Sequence, residues 1–373
     1  MAEPSEADAP GALGHVFTPI GVGSLTLPHR VVTGSMHLGV EGAADAGERL
    51  AAFYRERALG GAGLIVTGGW AVSADGAADA SYGVLGDGAR RGRPYPPIAP
   101  DKTTAAGGPP VRTTAAGGDR ADAMRRALAE VAAATDGTEA AIALQLFHAG
   151  RYALADSPGE VVAPSSITSR VSRVEPRALG EDEVWDVVAQ FAAGARLAQE
   201  LGFAAVEVMG SEGYLIDQFL SPVTNRREDS WGGDAEGRMR FGIEVATAVR
   251  VAVGAEFPVL FRMTGAELMP ESRPWEEVEA FAAALVAVGV DALNIGVGWH
   301  ESPVPTVQGA VPGGAFVPWA EGIKAAIGGD GRDGGAAITG TATTSPYPGV
   351  ANVKSLMEVV HVRKPRPHRR GDG

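Results

Sequence analysis

Three short stretches of this chain hold side chains that can move protons. In VEVMGSEGYLIDQFL, residues 206–220, a β-branched apolar run leads into Glu212 and Tyr214, and Arg227 follows in NRREDSWGG. A phenol with an ordinary pKa of about 10 keeps its proton at neutral pH, so Tyr214 beside a carboxylate can serve as an acid. The alternative is a core tyrosine whose hydroxyl finds a backbone partner. In NIGVGWHESPVP, His300 lies between Trp299 and Glu301 just past another apolar run; it can orient or share a proton, or be only a satisfied polar residue. Gln145 and His148 in IALQLFHAGRY are three apart along a strand and so point to opposite faces. The inward amide of Gln145 suits hydrogen bonding to a planar heterocycle. Arg262 in VLFRMT puts a cation at the end of an apolar strand. That placement needs an anion or electron-rich ligand, or else a buried pair with an acid such as Glu207. The pair Gly68–Gly69 permits close backbone approach to a flat ligand, and is equally compatible with a plain turn.

The elements that must position these residues alternate regularly. Strands are expected at 30–36, 64–69, 140–148, 204–210, 258–264 and 291–298, and more weakly at 336–341. Helical spacing fills 48–59, 121–134, 181–201, 237–253, 275–288 and 321–327. This order predicts an α/β fold with a parallel sheet. A (β/α)8 TIM barrel is favoured over a doubly wound sheet because no GxGxxG opens the first unit. In a barrel, chemistry belongs at the C-terminal strand ends. Ser35, Met36, His37, Gly68, Gly69, Gln145, His148, Glu212, Tyr214, Arg262, Trp299 and His300 all fall there. The barrel is expected to span residues 16–341, after a disordered 1–15, and no eighth strand is found. Residues 77–119, which carry TTAAGG twice, read as a disordered low-complexity insertion, with a lid as the alternative. Residues 342–373 read as an atypical disordered tail containing one weak helical stretch, 353–359.

Composition narrows the function. The 373 residues include 45 acidic and 32 basic side chains, a formal charge of −13, which disfavours nucleic acid as a partner. With no cysteine, thiolate zinc sites, cysteine nucleophiles and thiolate-held iron–sulfur clusters are excluded by inventory. The acidic N-terminus lacks an apolar leader, and no run approaches the roughly 20 apolar residues of a membrane span. The expectation is a cytoplasmic protein acting on a small molecule, without metal or membrane contact; oligomeric state leaves no trace in the sequence.

Together, FTPIGVGSLTLPHRVVTGSMHLG, ERLAAFYRERALGGAGLIVTGG, ALQLFHAGRY, VEVMGSEGYLIDQFL, the N-x-R-x-D element Asn225–Asp229 with Gly232–Gly233, and GVGWHESPVPT resemble the Old Yellow Enzyme family of NAD(P)H:flavin oxidoreductases. The likeness is strongest to its 2,4-dienoyl-CoA reductase branch and covers residues from about 16 to 76 and from 138 to 327. The resemblance implies bound FMN, contacted by Ser35, Met36, His37, Gly69, Gln145 and Arg262, with NADPH or NADH as reductant. It implies hydride transfer from the flavin to an electron-poor alkene, Tyr214 giving the proton, His300 assisting, and Trp299 and Glu301 near the substrate. Where the wider family offers a histidine and a histidine or asparagine to a substrate carbonyl, this chain has Met209 and Glu212. That departure points to an unsaturated acyl thioester. The family's phosphate-binding turn and the reductase's later domains have no counterpart, and the change of composition after Gly328 is expected to mark a truncated or frame-shifted end. Two other readings stay open: a silent remnant binding flavin weakly or not at all, and an amine dehydrogenase of the trimethylamine type.

Overall fold

The computed structural model describes residues 14–86, 118–304, 311–312, 314–328, 337–339 and 360–361. The N-terminal residues 1–13, both TTAAGG repeats save the final Gly118, and the helical stretch expected at 353–359 lie outside the described residues.

Seven parallel strands form one sheet: β3 (Val32–Thr33), β4 (Leu64–Ala71), β5 (Ala141–Phe147), β8 (Ala205–Gly210), β9 (Val259–Ala266), β10 (Ala292–Val297) and β11 (Ala337–Thr339). Each pairs with the next one along the chain. A doubly wound sheet would reverse direction at a switch point, whereas this unbroken order is that of a barrel wall. Among the described residues no eighth parallel strand joins β11 to β3, and the described barrel wall is open at the expected place. The last strand, β12 (Val360–His361), lies antiparallel on β10 within the segment read as a disordered tail.

β4, β5, β8 and β10 are buried almost throughout because helices cover one face and the barrel interior the other. The helices are α1 (Ala46–Leu59), α2 (Gly118–Ala132), α3 (Glu181–Glu200), α5 (Ala235–Val253), α6 (Trp275–Ala287) and α7 (Val317–Ala326). α1 turns Leu50, Tyr54 and Ala58 inward at four-residue spacing. α5 starts where the Asp234 carboxylate accepts from the Gly237 amide at 2.9 Å. Among the described residues no helix is long and apolar enough to cross a membrane.

Three features escaped the sequence reading. A hairpin of β1 (Ile20–Val22) and β2 (Leu25–Leu27) closes the N-terminal end of the barrel, packing Ile20, Val22 and Leu27 on Leu64, Ala143, Ala205, Leu260 and Ala292. A two-stranded pair, β6 (Val162–Ala163) and β7 (Arg177–Ala178), precedes α3. The six-residue helix α4 (Leu215–Leu220) directly follows Tyr214. The expected insertion also begins later than residue 77. Ala77 is buried, Val84 bridges to Ala71, and the Leu85 amide donates to Ala71 O at 2.8 Å, so residues 77–86 are stitched along β4.

Candidate active site

The C-terminal ends of β5, β8, β9 and β10 converge on one polar cluster. Ser35 Oγ donates to Gln145 Oε1 at 2.8 Å, Gln145 Nε2 donates to Glu207 Oε1 at 2.8 Å, and Asn294 Nδ2 donates to Glu207 Oε2 at 2.8 Å. All four residues are buried. Arg262 does not take Glu207, the acid weighed from the sequence. Its Nη2 lies 2.5 Å from Glu212 Oε1, because the turn after β8 carries Glu212 back over the barrel.

Above this pair stand the expected proton-handling groups. His300 Nε2 lies 3.2 Å from Tyr214 Oη and 3.4 Å from Glu212 Oε2, and the His300 amide donates to Glu212 O at 3.3 Å. The structure therefore brings Glu212, Tyr214, His300 and Arg262, singled out separately along the sequence, into one cluster. Tyr214 is partly exposed, with aromatic neighbours Phe147, Tyr152 and His300. Desolvation, together with Tyr82, Glu212 and Tyr152, pushes its phenol well above the ordinary range against the opposing pull of Arg262. The phenol thus holds its proton firmly until a stronger base forms beside it.

Other expected contacts are spent within the protein. His37 stacks flat on Tyr82, ring centroids 3.7 Å apart, with Nε2 2.9 Å from Ser81 Oγ and Nδ1 3.0 Å from Glu41. Burial works to raise the Glu41 carboxyl, but His37 and nearby backbone amides outweigh it and leave the pKa lowered. Glu301, expected at the substrate, is a tether: its carboxylate pairs with Arg151 and accepts from Tyr152 Oη at 3.2 Å and the Arg170 amide at 2.7 Å. Trp299, also expected there, is fully buried beneath the loop. Its indole Nε1 is buried without a hydrogen-bond partner. Met36 is half-buried, and its carbonyl oxygen would clash with any Cβ at Gly68. His148 lies just past the end of β5, buried against Gly76, and its Nδ1 accepts from the Gly150 amide at 3.1 Å. Arg227 binds Asp229 and the carbonyls of Pro164 and Leu179, making its loop structural.

Several site residues went unrecognised from sequence. Tyr82 lay inside the presumed insertion, and Tyr152 and Arg151 sat unremarked in HAGRY. Asn294 could have been found by stepping two residues up β10 from inward Ala292. Asp217, Thr264, Glu267 and Arg273 form a buried network under the 211–214 turn, and no local pattern marks their association.

The ring end of a flavin site fits these residues. A Cβ at Gly69 would meet Phe147 at 2.9 Å and Gln145 at 3.1 Å, so the glycine lets those two side chains close against β4. Arg262 Nε and Asn294 Oδ1 are buried without a hydrogen-bond partner, a donor and an acceptor at the same strand ends. The segments around β11 that this fold uses for phosphate lie largely outside the described residues.

A parallel α/β barrel with an acid, a phenol and an imidazole at its strand ends has the build of an oxidoreductase barrel. The chain belongs to the NADH:flavin oxidoreductase / NADH oxidase family, whose model matches residues 15–85 and 122–317. A metal reductase of Desulforamulus reducens is 39% identical over 313 residues, 84% of this chain and 42% of the relative. An N,N-dimethylglycine/sarcosine dehydrogenase of Chromohalobacter salexigens is 33% identical over 313 residues, 82% of this chain and 40% of the relative. The chain therefore spans less than half the length of both. Among solved structures, a 2-naphthoyl-CoA reductase in complex with 2-naphthoyl-CoA superposes with a TM-score of 0.71 at 25% identity, covering 87% of this chain and 46% of that one.

Proposed function

We propose that the chain is an FMN-dependent, NAD(P)H-driven ene-reductase barrel whose substrate is an α,β-unsaturated acyl thioester. The observation that carries this reading is the phenol of Tyr214 held 3.2 Å from His300 Nε2 above the Arg262–Glu212 pair. FMN, when bound, supplies the hydride delivered to the electron-poor alkene carbon. Tyr214 holds the proton for the adjacent carbon, and its raised pKa keeps that proton in place through neutral and mildly alkaline pH. His300 accepts or shares a hydrogen bond with the phenol, orienting Oη, while Glu212 fixes the imidazole and balances Arg262. Arg262 retains its unpartnered Nε for an electron-rich ring edge. A solved neighbour bound to an aromatic acyl-CoA supports the thioester class.

Amine oxidation is the second reading. Tyr82, Phe147, Tyr152 and Tyr214 form a contiguous aromatic wall with His300, the setting that attracts a tertiary ammonium, and one relative is named for dimethylglycine and sarcosine. The test begins with the visible spectrum of the purified chain with and without FMN. NADPH-dependent turnover of dienoyl thioesters and amine-dependent dye reduction are then compared. Alkene reduction is expected; turnover of amines alone overturns the first reading. A colourless protein that leaves added FMN unperturbed favours a silent remnant.

A further inference from the structure

The turn that carries the acid and the phenol has an unusual backbone. Glu212 has φ 63° and Gly213 φ 87°, two successive residues in the left-handed region. Glycine adopts it freely, whereas a glutamate there must be held by its surroundings. The holding groups are buried. The Glu212 amide donates to Thr264 Oγ1 at 3.2 Å, and the Gly213 amide donates to Asp217 Oδ2 at 3.1 Å. Thr264 Oγ1 itself donates to Asp217 Oδ2 at 2.6 Å. Both amides of the turn thus end on one carboxylate, the first through a hydroxyl that accepts on one side and donates on the other.

Asp217 is in turn anchored from below. Arg273 Nη2 lies 3.1 Å from Asp217 Oδ1, and Arg273 Nε lies 2.7 Å from Glu267 Oε1, whose other oxygen accepts from Ser221 Oγ at 2.7 Å. Asp217, Thr264, Glu267 and Arg273 are all buried. The Gly213 amide, the Thr264 hydroxyl and the Arg273 guanidinium all donate to the Asp217 carboxylate, so a carboxamide in its place would set an N–H against a donor.

We infer that Asp217, acting through Thr264 and the Gly213 amide, is a positioning residue that locks the left-handed turn and so sets Glu212 against Arg262 and Tyr214 against His300. It is fully buried beneath the turn. The inference rests on the ene-reductase reading only for its kinetic readout. It goes beyond that reading by naming the device, contributed by β9 and α4, that keeps the proton donor in place.

The test compares the FMN-loaded full chain with Thr264→Val, which keeps shape and loses the hydroxyl, with Thr264→Ser, which restores it, and with Asp217→Asn. Hydrogen exchange at the Glu212 and Gly213 amides is measured beside kcat, KM and Tm. Thr264→Val is expected to speed exchange at Glu212 and to lower kcat for a dienoyl thioester by roughly 10- to 100-fold, the effect of misplacing a reacting group by about 1 Å. KM should change little, Tm should fall because the Glu212 amide and the Asp217 carboxylate each lose a buried partner, and Thr264→Ser should recover exchange protection, kcat and Tm together. Asp217→Asn should expose both amides. If Thr264→Val keeps its amide protection and its kcat, the inference is overturned. Should the wild type turn over no alkene, the functional reading fails by itself and the exchange measurement alone decides: protection lost in Thr264→Val upholds the lock, and protection retained overturns it.

Discussion

Two layers of the barrel interior lie only two residues apart along the same strands, yet their chemistry is opposite. The lower layer holds Ala143, Ala205, Leu260 and Ala292, sealed by the β1–β2 hairpin. One step up the inward face of β5, β8, β9 and β10 stand Gln145, Glu207, Arg262 and Asn294, equally buried. The lower layer is stabilised by the removal of apolar area from water, which needs volume and no direction. The upper layer is tolerated only because its atoms satisfy one another, as along Ser35–Gln145–Glu207–Asn294, and the few left over are the ones a ligand can take. One scaffold therefore separates stability from chemistry by a single pleat.

The strongest way to break this division is at the rim of the upper layer. Tyr214→Phe should slow alkene reduction by about 10²- to 10⁴-fold, the usual contribution of a positioned proton donor, while leaving flavin reduction by NADPH and Tm almost unchanged. Stopped-flow traces of the two half-reactions check it; equal losses in both would remove Tyr214 from its role. In the lower layer the opposite pattern is expected. Leu260→Ala should cost about 2–5 kcal/mol in urea unfolding, through a cavity inside the lower end of the barrel, with both half-reactions intact in the folded fraction. Asn294→Leu sharpens the contrast, since it strips a donor from the buried Glu207 carboxylate. A loss of about 1.5–3 kcal/mol is expected together with weaker FMN binding, read by urea titration and flavin fluorescence.

The smallest effect comes from outside both layers. Burial lowers the pKa of His148, with Asp75 opposing, so the folded protein keeps this imidazole neutral. The unfolded chain protonates it near about 6.5 and binds more protons below that pH. The contribution of His148 to stability should therefore be level well above about pH 6.5 and fall as the pH drops below it, opposite in sign to that of Asp217, whose carboxyl burial raises to about 7. Unfolding curves of the wild type and His148→Gln at pH 5 to 8 check this, because the variant should lose part of the slope.

Much of this was legible locally. Strand ends from Leu64 to Val297 fell within a few residues of expectation because long apolar runs bounded by glycines leave few alternatives. Glu212, Tyr214, Arg262 and His300 stood out because strand-end position in a barrel is a strong constraint. The same reasoning drew in Trp299 and Glu301; the structure buries the first and pairs the second with Arg151, since adjacency to His300 says nothing of which side chain turns inward. Residues 77–86 were read with the repeats that follow, and their pairing along β4 depends on backbone hydrogen bonds that composition does not reveal.

The sequence by itself determined the alternating architecture, the lack of cysteine within these 373 residues and the presence of an acid, a phenol, an imidazole and a guanidinium at strand ends. Periodicity and inventory are local properties, and they carry that information without a fold. Only the tertiary structure decided who pairs with whom: Arg262 with Glu212 instead of Glu207, Glu301 with Arg151, and Asp217 with Thr264 and Arg273. Those choices depend on distances of a few ångströms between residues tens of positions apart, and on which buried charges find partners once water is gone.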